Sequence, residues 1–416
     1  MPQLSSSNRS QLVAKLEGTY PTNFGVPQGG NGFNLNMTGE SLDYGIKTES
    51  SKQIVNTRQT LDNVQVSASA QGGFNFEAQF AEYDPFIQAT LQQDYTYYGT
   101  NGVSASIATL TLAAGTITAG AAPTGNDAFT TLHKGQWFTV NPPAGATQAV
   151  KDYFDGRAFR VSTTTAPTST VITLDAATQI NTAVAGTSMS NGQICSARAY
   201  NGTTMKSYTL EVQHSDISVF RQYTGMICSK MDLKLSVGQI LTGSFEFMGK
   251  SMSLLGATSM GTPSASQTYT PANATKGIFD IFEGGTSISA TTYIKSAELS
   301  IDNSLRAQEA VGVFGNAGVA AGTLKVMGKL EVYFADAVMY GKLISGAASS
   351  MSIPVLDVNG NGYVYYFPRI KYSAAKVNAT GLDTDNMLSM DFEALMDVDP
   401  TSATYQKTVA IYRCGV

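Results

Sequence analysis

Apolar and polar residues alternate with a period of two through most of this chain, and the alternating runs occur in the same order twice. One copy spans about Met37 to Leu255 and the other about Ile294 to Cys414. Period-two alternation marks half-buried strands, and an internal repeat fixes architecture before any other feature does. The first run is Glu40–Glu49 in copy one and Ile294–Asn303 in copy two, with Leu42, Tyr44 and Ile46 set against Ala297, Leu299 and Ile301. Each is followed by a loop without apolar periodicity, Ser50–Asn63 and Ser304–Ala321. The chain then returns as a strand, Val64–Phe80 and Gly322–Phe334.

A short helix follows each returning strand, Asp84–Gln93 and Ala335–Ser345. In the first, Asp84 reads as the N-cap and Pro85 as the first helical residue, where a missing N–H costs nothing. Phe86, Ile87 and Leu91 form one apolar stripe, and Val338, Met339 and Leu343 the other. The closing strands of copy one are Ser207–Gln213, Gly225–Ser236 and Thr242–Lys250; those of copy two are Met351–Asp357, Gly362–Ser373 and Asn386–Met396. The fold predicted is mainly β: two tandem β-sandwich or barrel units, each with one short α-helix. Unit 1 is discontinuous (37–99 and 200–255) and unit 2 covers 294–416.

Between the parts of unit 1 lies an insert, 100–199. Short strands at Ser104–Ile117, around Trp137–Val140, at Gly156–Val161 and at Thr170–Leu174 predict a small β-barrel or sandwich. Asp155-Gly156 reads as a hairpin turn. Trp137, Phe138 and Phe159 are the expected core of this insert, with Trp137 as its anchor. Residues 1–36 read as an N-terminal arm, 256–293 as a linker, and Lys407–Cys414 as a last strand.

Composition narrows the function. Charged residues are 14% of the chain, below the usual quarter, which suits permanent contacts with like molecules; it would also suit a secreted adhesin. A net charge of -5 argues against gripping DNA, which needs a basic stripe, but not against a channel that DNA passes without sticking. Cys195, Cys228 and Cys414 are an odd set without metal spacing, so neither a disulfide framework nor secretion is expected. The first residues lack a signal-peptide core, and no apolar run is long enough to cross a membrane as a helix.

Candidate chemistry is sparse. His133 and His214 have no metal-spaced partner. Asp357-Val358-Asn359-Gly360-Asn361-Gly362 opens like a calcium loop, but its twelfth position is Pro368 where a bidentate Glu is required, so a tight hairpin is the better reading. Gly29, Gly30 and Gly32 neither follow a strand nor open a helix, which argues against a phosphate cradle. No catalytic or metal site and no cofactor are expected.

The run Thr38–Leu91 resembles the N-terminal part of major tail tube proteins of bacteriophages with long, non-contractile tails. The resemblance rests on Gly39-Glu40-Ser41-Leu42, on Arg58-Gln59 followed by Asp62, and on Gly73-Phe74-Asn75-Phe76-Glu77 followed by Tyr83-Asp84. The insert's Lys134-Gly135-Gln136-Trp137-Phe138-Thr139-Val140 is similar to a small β module often inserted in such proteins. The resemblance implies a structural virion protein, built in the host cytoplasm, that polymerises into stacked rings forming the hollow tube through which DNA leaves. Rings of six tube folds are common in related phages; with two folds per chain, three chains complete a pseudo-sixfold ring, whereas single-fold chains would need six. It further implies as partners other copies of the chain, a tape-measure protein in the lumen, and tail terminator and distal tail or baseplate proteins. DNA would pass transiently without specific binding, and no membrane insertion is expected. Another virion or surface β protein (a tail fibre, capsid decoration protein or adhesin binding a receptor or glycan) is the alternative.

On this reading the lumen-facing candidates are Glu77, Glu211, Glu246, Glu331 and Glu393. The loops are too long for hairpin turns, so Arg58, Gln59 and Asp62 in the first and Arg306, Gln308 and Glu309 in the second are candidates for contact between rings. The insert is expected on the outside of the tube.

Overall fold

The computed structural model describes residues 5–21, 30–57, 59–182, 184–273, 280–288, 293–334, 338–357, 359–377 and 385–416, together with the backbone of 378. The protein is mainly β. The strands that matter for function are β1 (Ser10–Leu16), β2 (Asp43–Ser50), β3 (Asn63–Glu77), β4 (Ser207–His214), β5 (Val219–Ser236), β6 (Thr242–Gly249), β7 (Ile294–Asp302), β8 (Lys325–Tyr333), β9 (Ser349–Leu356), β10 (Gly362–Asn378), β11 (Met387–Ala394) and β12 (Ala410–Cys414). The helices are α1 (Asp84–Leu91), α2 (Gln148–Phe154) and α3 (Val338–Ser345).

These strands pair in the order β2–β3–β6–β5–β7–β8–β11–β10, all antiparallel. The order within 37–255 is β2–β3–β6–β5, and within 294–416 it is β7–β8–β11–β10. On its outer side the long strand β5 continues from β4 to β7, whereas β10 has β9 in the place of β4 and no described strand in the place of β7. Each carries one bulge opposite its inner neighbour, at Ser229 in β5 and at Ser373 in β10. A bulge inserts one unpaired residue and bends the strand, so both strands turn from one partner to the next near the same point. Between β5 and β7 the register sets Lys230 opposite Asp302 and Ser236 opposite Ser296.

Alternation divides this sheet into two faces. Phe74, Phe76, Phe245, Phe247, Met231, Leu233, Leu299, Ile301, Val326, Leu330, Met390 and Phe392 are buried on one side in a single large core with Phe86, Ile87 and Met339 from α1 and α3. At about 25 cal/mol per Å² of apolar surface removed from water, each buried phenylalanine or leucine contributes ~1.5–3 kcal/mol. Gly328 provides room for the ring of Phe392, which a Cβ there would meet at 2.2 Å.

The structure revises several sequence expectations. Asp84 is the first residue of α1 and not its N-cap; Tyr83 caps the helix without a side-chain bond, and the Asp84 carboxylate is held elsewhere. In α3, Val338 is exposed while Met339 is buried, and 335–337 lie outside the described residues. Leu42 is buried, but Ile46 is exposed, and the strand pairings put Tyr44, not Ile46, in the place of the fully buried Ile301. Residues read as an arm contain β1, which pairs with β4 along its whole length, and Phe33–Leu35, which pairs with β1. Part of the linker is laced to unit 1: Thr258 and Ser259 bind Glu211, and the Gln267 N–H donates to Glu82. Asp155-Gly156 ends α2 instead of turning a hairpin, with Gly156 at φ 65°. The Asn359–Asn361 turn does join the antiparallel strands β9 and β10, and the Asp357 carboxylate accepts the Asn359 and Asn361 N–H groups.

The insert forms two small sheets, one of Trp137–Asn141 with Ala158–Arg160 and Gln193–Cys195, the other of Leu110–Ala113, Thr116–Ala119, Val171–Thr173 and Ser188–Met189. Phe138 and Phe159 lie in their shared core with Phe129, Phe154 and Ile194. Trp137 does not. It belongs to a separate cluster with Phe282, Leu356, Val364, Tyr366, Tyr412 and Cys414. The alternation of its strand sends Phe138 inward and Trp137 outward, onto β9, β10 and β12. It anchors the insert to its neighbour and not to itself.

Candidate functional site, the polar face of the continuous sheet

The face of the sheet opposite the core is mainly polar, with Met327 as an exposed apolar residue in its middle. It presents Asn75, Glu77, Ser244 and Glu246 from β3 and β6, Lys230, Asp232 and Lys234 from β5, Glu298 and Ser300 from β7, Lys325, Lys329 and Glu331 from β8, Asp391 and Glu393 from β11, and Lys371 and Lys376 from β10. Strand pairing fixes this assignment, because directly opposed residues share a face. The middle of this face is a concave trough of about 840 Å³, lined by β3, β6, β5, β7, β8 and β11.

Acids and bases alternate across it, with a small excess of acids. Lys230 lies 2.7 Å from Asp232, Lys234 3.0 Å from Glu298, and Lys295 3.7 Å from Glu331. The hydrogen bond from Lys230 to Asp232 holds its ammonium above the ordinary lysine value. Exposed pairs of this kind add ~0–1 kcal/mol each. Their effect is on the surface potential, which they keep low and nearly uniform.

Four of the five glutamates expected to line a channel, Glu77, Glu246, Glu331 and Glu393, share this face. The structure corrects the fifth. Glu211 is fully buried on β4, accepting hydrogen bonds from Gln222, Gln213, Thr258 and Ser259. The alternation of Ser207–Gln213 places it on the polar side of β4, but the segment Thr258–Ser259 covers that side. Nothing local in the sequence signals that cover.

Among the loop candidates, Gln59, Asp62, Arg306, Gln308 and Glu309 are exposed, and Arg58 lies outside the described residues. Asp62 is used at the loop's base, where its carbonyl accepts the Ser51 N–H. The second loop forms a small hairpin, Arg306–Gln308 with Gly318–Ala320. Its Asn316 is buried and donates from Nδ2 to the Gly249 carbonyl at the end of β6 at 2.9 Å. Each loop exposes an apolar residue completely, Ile54 (101%) in the first and Val311 (107%) in the second.

Sequence reasoning missed a polar lock between the start of α1 and the strands β10 and β12. The Asp84 carboxylate at the start of α1 accepts from Arg413 Nε of β12 and from the Tyr363 hydroxyl of β10, both at 2.7 Å. The Tyr363 oxygen also accepts the Ala81 N–H at 3.0 Å. Burial pushes the Asp84 carboxyl above the ordinary carboxylate value, against the pull of Arg413 and Tyr363. The only signal in the sequence was the Tyr83-Asp84-Pro85 step, which also fits a helix cap.

His133 Nε2 accepts a hydrogen bond from the Arg198 guanidinium, and burial holds the imidazole below the ordinary histidine value. His214 Nδ1 is 3.0 Å from Ser10 Oγ. The three cysteines are buried and unpaired, and burial pushes the Cys195 and Cys228 thiols up to about 12. Gly29 lies outside the described residues, while Gly30 and Gly32 donate to the Ser259 and Met260 carbonyls. Among the described residues no helix is long and apolar enough to cross a membrane, and no acid, His or Cys cluster has the makings of a metal site.

A mainly β chain whose strands form one long sheet with a polar concave face has the make-up of a wall-building structural protein. The family model for phage tail tube proteins matches residues 7–394, and the chain belongs to that family. It is thus a structural component of a bacteriophage virion. No curated protein matches the chain.

Proposed function

We propose that three copies of this chain close into a ring, that rings stack into the hollow tail tube, and that the polar face of β2–β3–β6–β5–β7–β8–β11–β10 lines the lumen through which DNA is delivered. The observation that carries this reading is the edge-to-edge pairing of β5 with β7 inside one chain. It joins two sets of strands with the same pairing order into one sheet, and repetition of that step around an axis closes a wall. An eight-strand run from each of three copies gives about 24 strands; at ~4.8 Å spacing and ~40° tilt the facing backbones stand roughly 48 Å apart. Two copies would give about 16 strands and roughly 32 Å, which side chains on both walls narrow to about the girth of a duplex.

Glu77, Glu246, Glu331 and Glu393, interleaved with lysines, then face the lumen. A nearly balanced, slightly acidic wall neither captures phosphates nor raises a barrier to them. The loop tips at Ile54 and Val311 reach the adjacent ring, with the second loop based on unit 1 through Asn316. The insert decorates the outside, on the opposite side of the wall from the lumen. Tape-measure protein occupies the lumen during assembly, and terminator and distal tail proteins cap the ends. Negative-stain electron microscopy of the purified chain tests the whole reading: rings or hollow tubes are expected, and discrete single particles at assembly concentrations refute it. Such single particles, with retained binding to a host glycan, would favour a fibre or adhesin instead.

A further inference from the structure

We infer that the joint between copies is β10 of one chain against β2 of the next, in a register that the chain's own β5–β7 joint dictates. This rests on the tube reading and specifies its interface. Strand β10 pairs with β11 on one side beyond its bulge, while its other side pairs with no described strand after Ile370. Among the described residues, strand β2 pairs with no strand but β3. A sheet edge left open this way is a template for another strand, and both edges lie at the two ends of the same sheet.

The bulges at Ser229 and Ser373 align β5 with β10, so that Lys230, Met231 and Asp232 correspond to Ala374, Ala375 and Lys376. The pairings of β6 with β3, β11 with β8, and their outer neighbours carry the same superposition onward, so that Asp302, Ile301 and Ser300 of β7 correspond to Gly45, Tyr44 and Asp43 of β2. The internal pairs Lys230/Asp302 and Asp232/Ser300 therefore predict Ala374 opposite Gly45 and Lys376 opposite Asp43 of the next copy. Inside the chain the Asn303 N–H donates to the carbonyl of the bulge residue Ser229; the counterpart is the Ile46 N–H on the Ser373 carbonyl.

Three features fit this register. Lys376 and Asp43 are both exposed, on the polar face and opposite in sign; at the internal joint the opposite charges Lys234 and Glu298 face each other in the same way, two residues further along. Val377 and Ile46 are exposed apolar residues on the core side of their strands, where a neighbour would cover them. The ladder stops at Asp43 because the Leu42 N–H and carbonyl are already taken by Glu40 and the Tyr223 hydroxyl.

The test is a D43C/K376C variant of the full chain, whose native thiols are buried. Directly opposed residues of this type have Cα atoms ~4.5 Å apart, within the ~4.4–6.8 Å range of a disulfide. Oxidation should convert reduced, tube-forming protein into covalent trimers on non-reducing gels, while the off-register pair I46C/K376C remains monomeric. In parallel, K376E should raise the protein concentration needed for assembly several-fold at low salt, and D43K/K376E should lower it again. Normal tubes that stay monomeric on oxidation, or equal cross-linking of the off-register pair, would overturn the joint and leave the tube reading standing. Absence of rings or tubes from the unaltered chain would overturn both.

Discussion

Replacing Arg413 by methionine removes the guanidinium from a largely buried carboxylate. In the native protein the Asp84 and Arg413 side chains are only 13% and 12% exposed, and Asp84 receives one further bond, from Tyr363. Breaking one half of a buried pair costs about 3–5 kcal/mol, because the remaining charge is left uncompensated. The residual exposure and the surviving Tyr363 bond place the expected loss near 3 kcal/mol. The sign of its pH dependence follows from burial. A carboxyl whose folded pKa lies above its unfolded value loses stability as pH rises through the folded pKa, and recovers it on acidification. The direction of the Asp84 shift is already upward, and removal of Arg413 pushes it further. R413M should therefore lose most stability at pH 7 and part of that loss should disappear near pH 5. D84N/R413M should recover a large share at both pH values, since neither partner is then charged. Thermal unfolding of the unassembled chain, followed by intrinsic fluorescence at the two pH values, measures this. A loss for R413M that is the same at both pH values, or a double variant no better than the single one, would show that Asp84 is not a buried charge held by Arg413.

Other predictions concern the wall, the insert and the loop tips. E246K/E393K should leave tubes normal by microscopy but slow DNA release in low salt, with the defect shrinking as salt screens the wall; unchanged release kinetics would remove these residues from the lumen. W137A should cost about 3–5 kcal/mol and expose the junction of the insert to limited proteolysis before the main sheet is cut, whereas F138A should unfold the insert itself. I54D and V311D should each permit rings but stop stacking, read by microscopy and sedimentation; tubes of normal length would confine those loops to the surface.

Where a strand has one wet and one dry face, alternation made it legible, as in Thr242–Lys250; Gly362–Ser373 was recovered as a strand although 362–367 is buried on both faces, because its aromatic and β-branched run follows an Asn-Gly turn. The joint between β5 and β7 was not legible. It depends on pairing between segments far apart in sequence, and alternation specifies a face without specifying a partner. The error at Glu211 has the same origin: its strand alternates correctly, yet a distant polar segment converts a wet position into a buried one. Strand β1 was missed because Ser10–Leu16 is short, lies between polar stretches, and owes its place to β4. At Trp137 the order of residues showed an aromatic in a strand, but both sides of that strand are dry, so alternation could not tell the insert's own core from the flank of unit 2.

The insert leaves the main sheet just after Thr96–Tyr97 and returns at Ala197–Tyr200, and these two segments are themselves paired, Tyr97 with Ala197 and Thr96 with Arg198. Departure and return therefore share one neck. Such a neck lets the intervening module be exchanged without altering the spacing of the surrounding strands, so the position is suited to carrying cargo such as an epitope or an enzyme along a filament. The exchange has a condition: Phe282, Leu356, Val364 and Tyr412 would lose the lid that Trp137 provides, and any passenger must bring an apolar foot of its own or leave a sticky spot on every subunit.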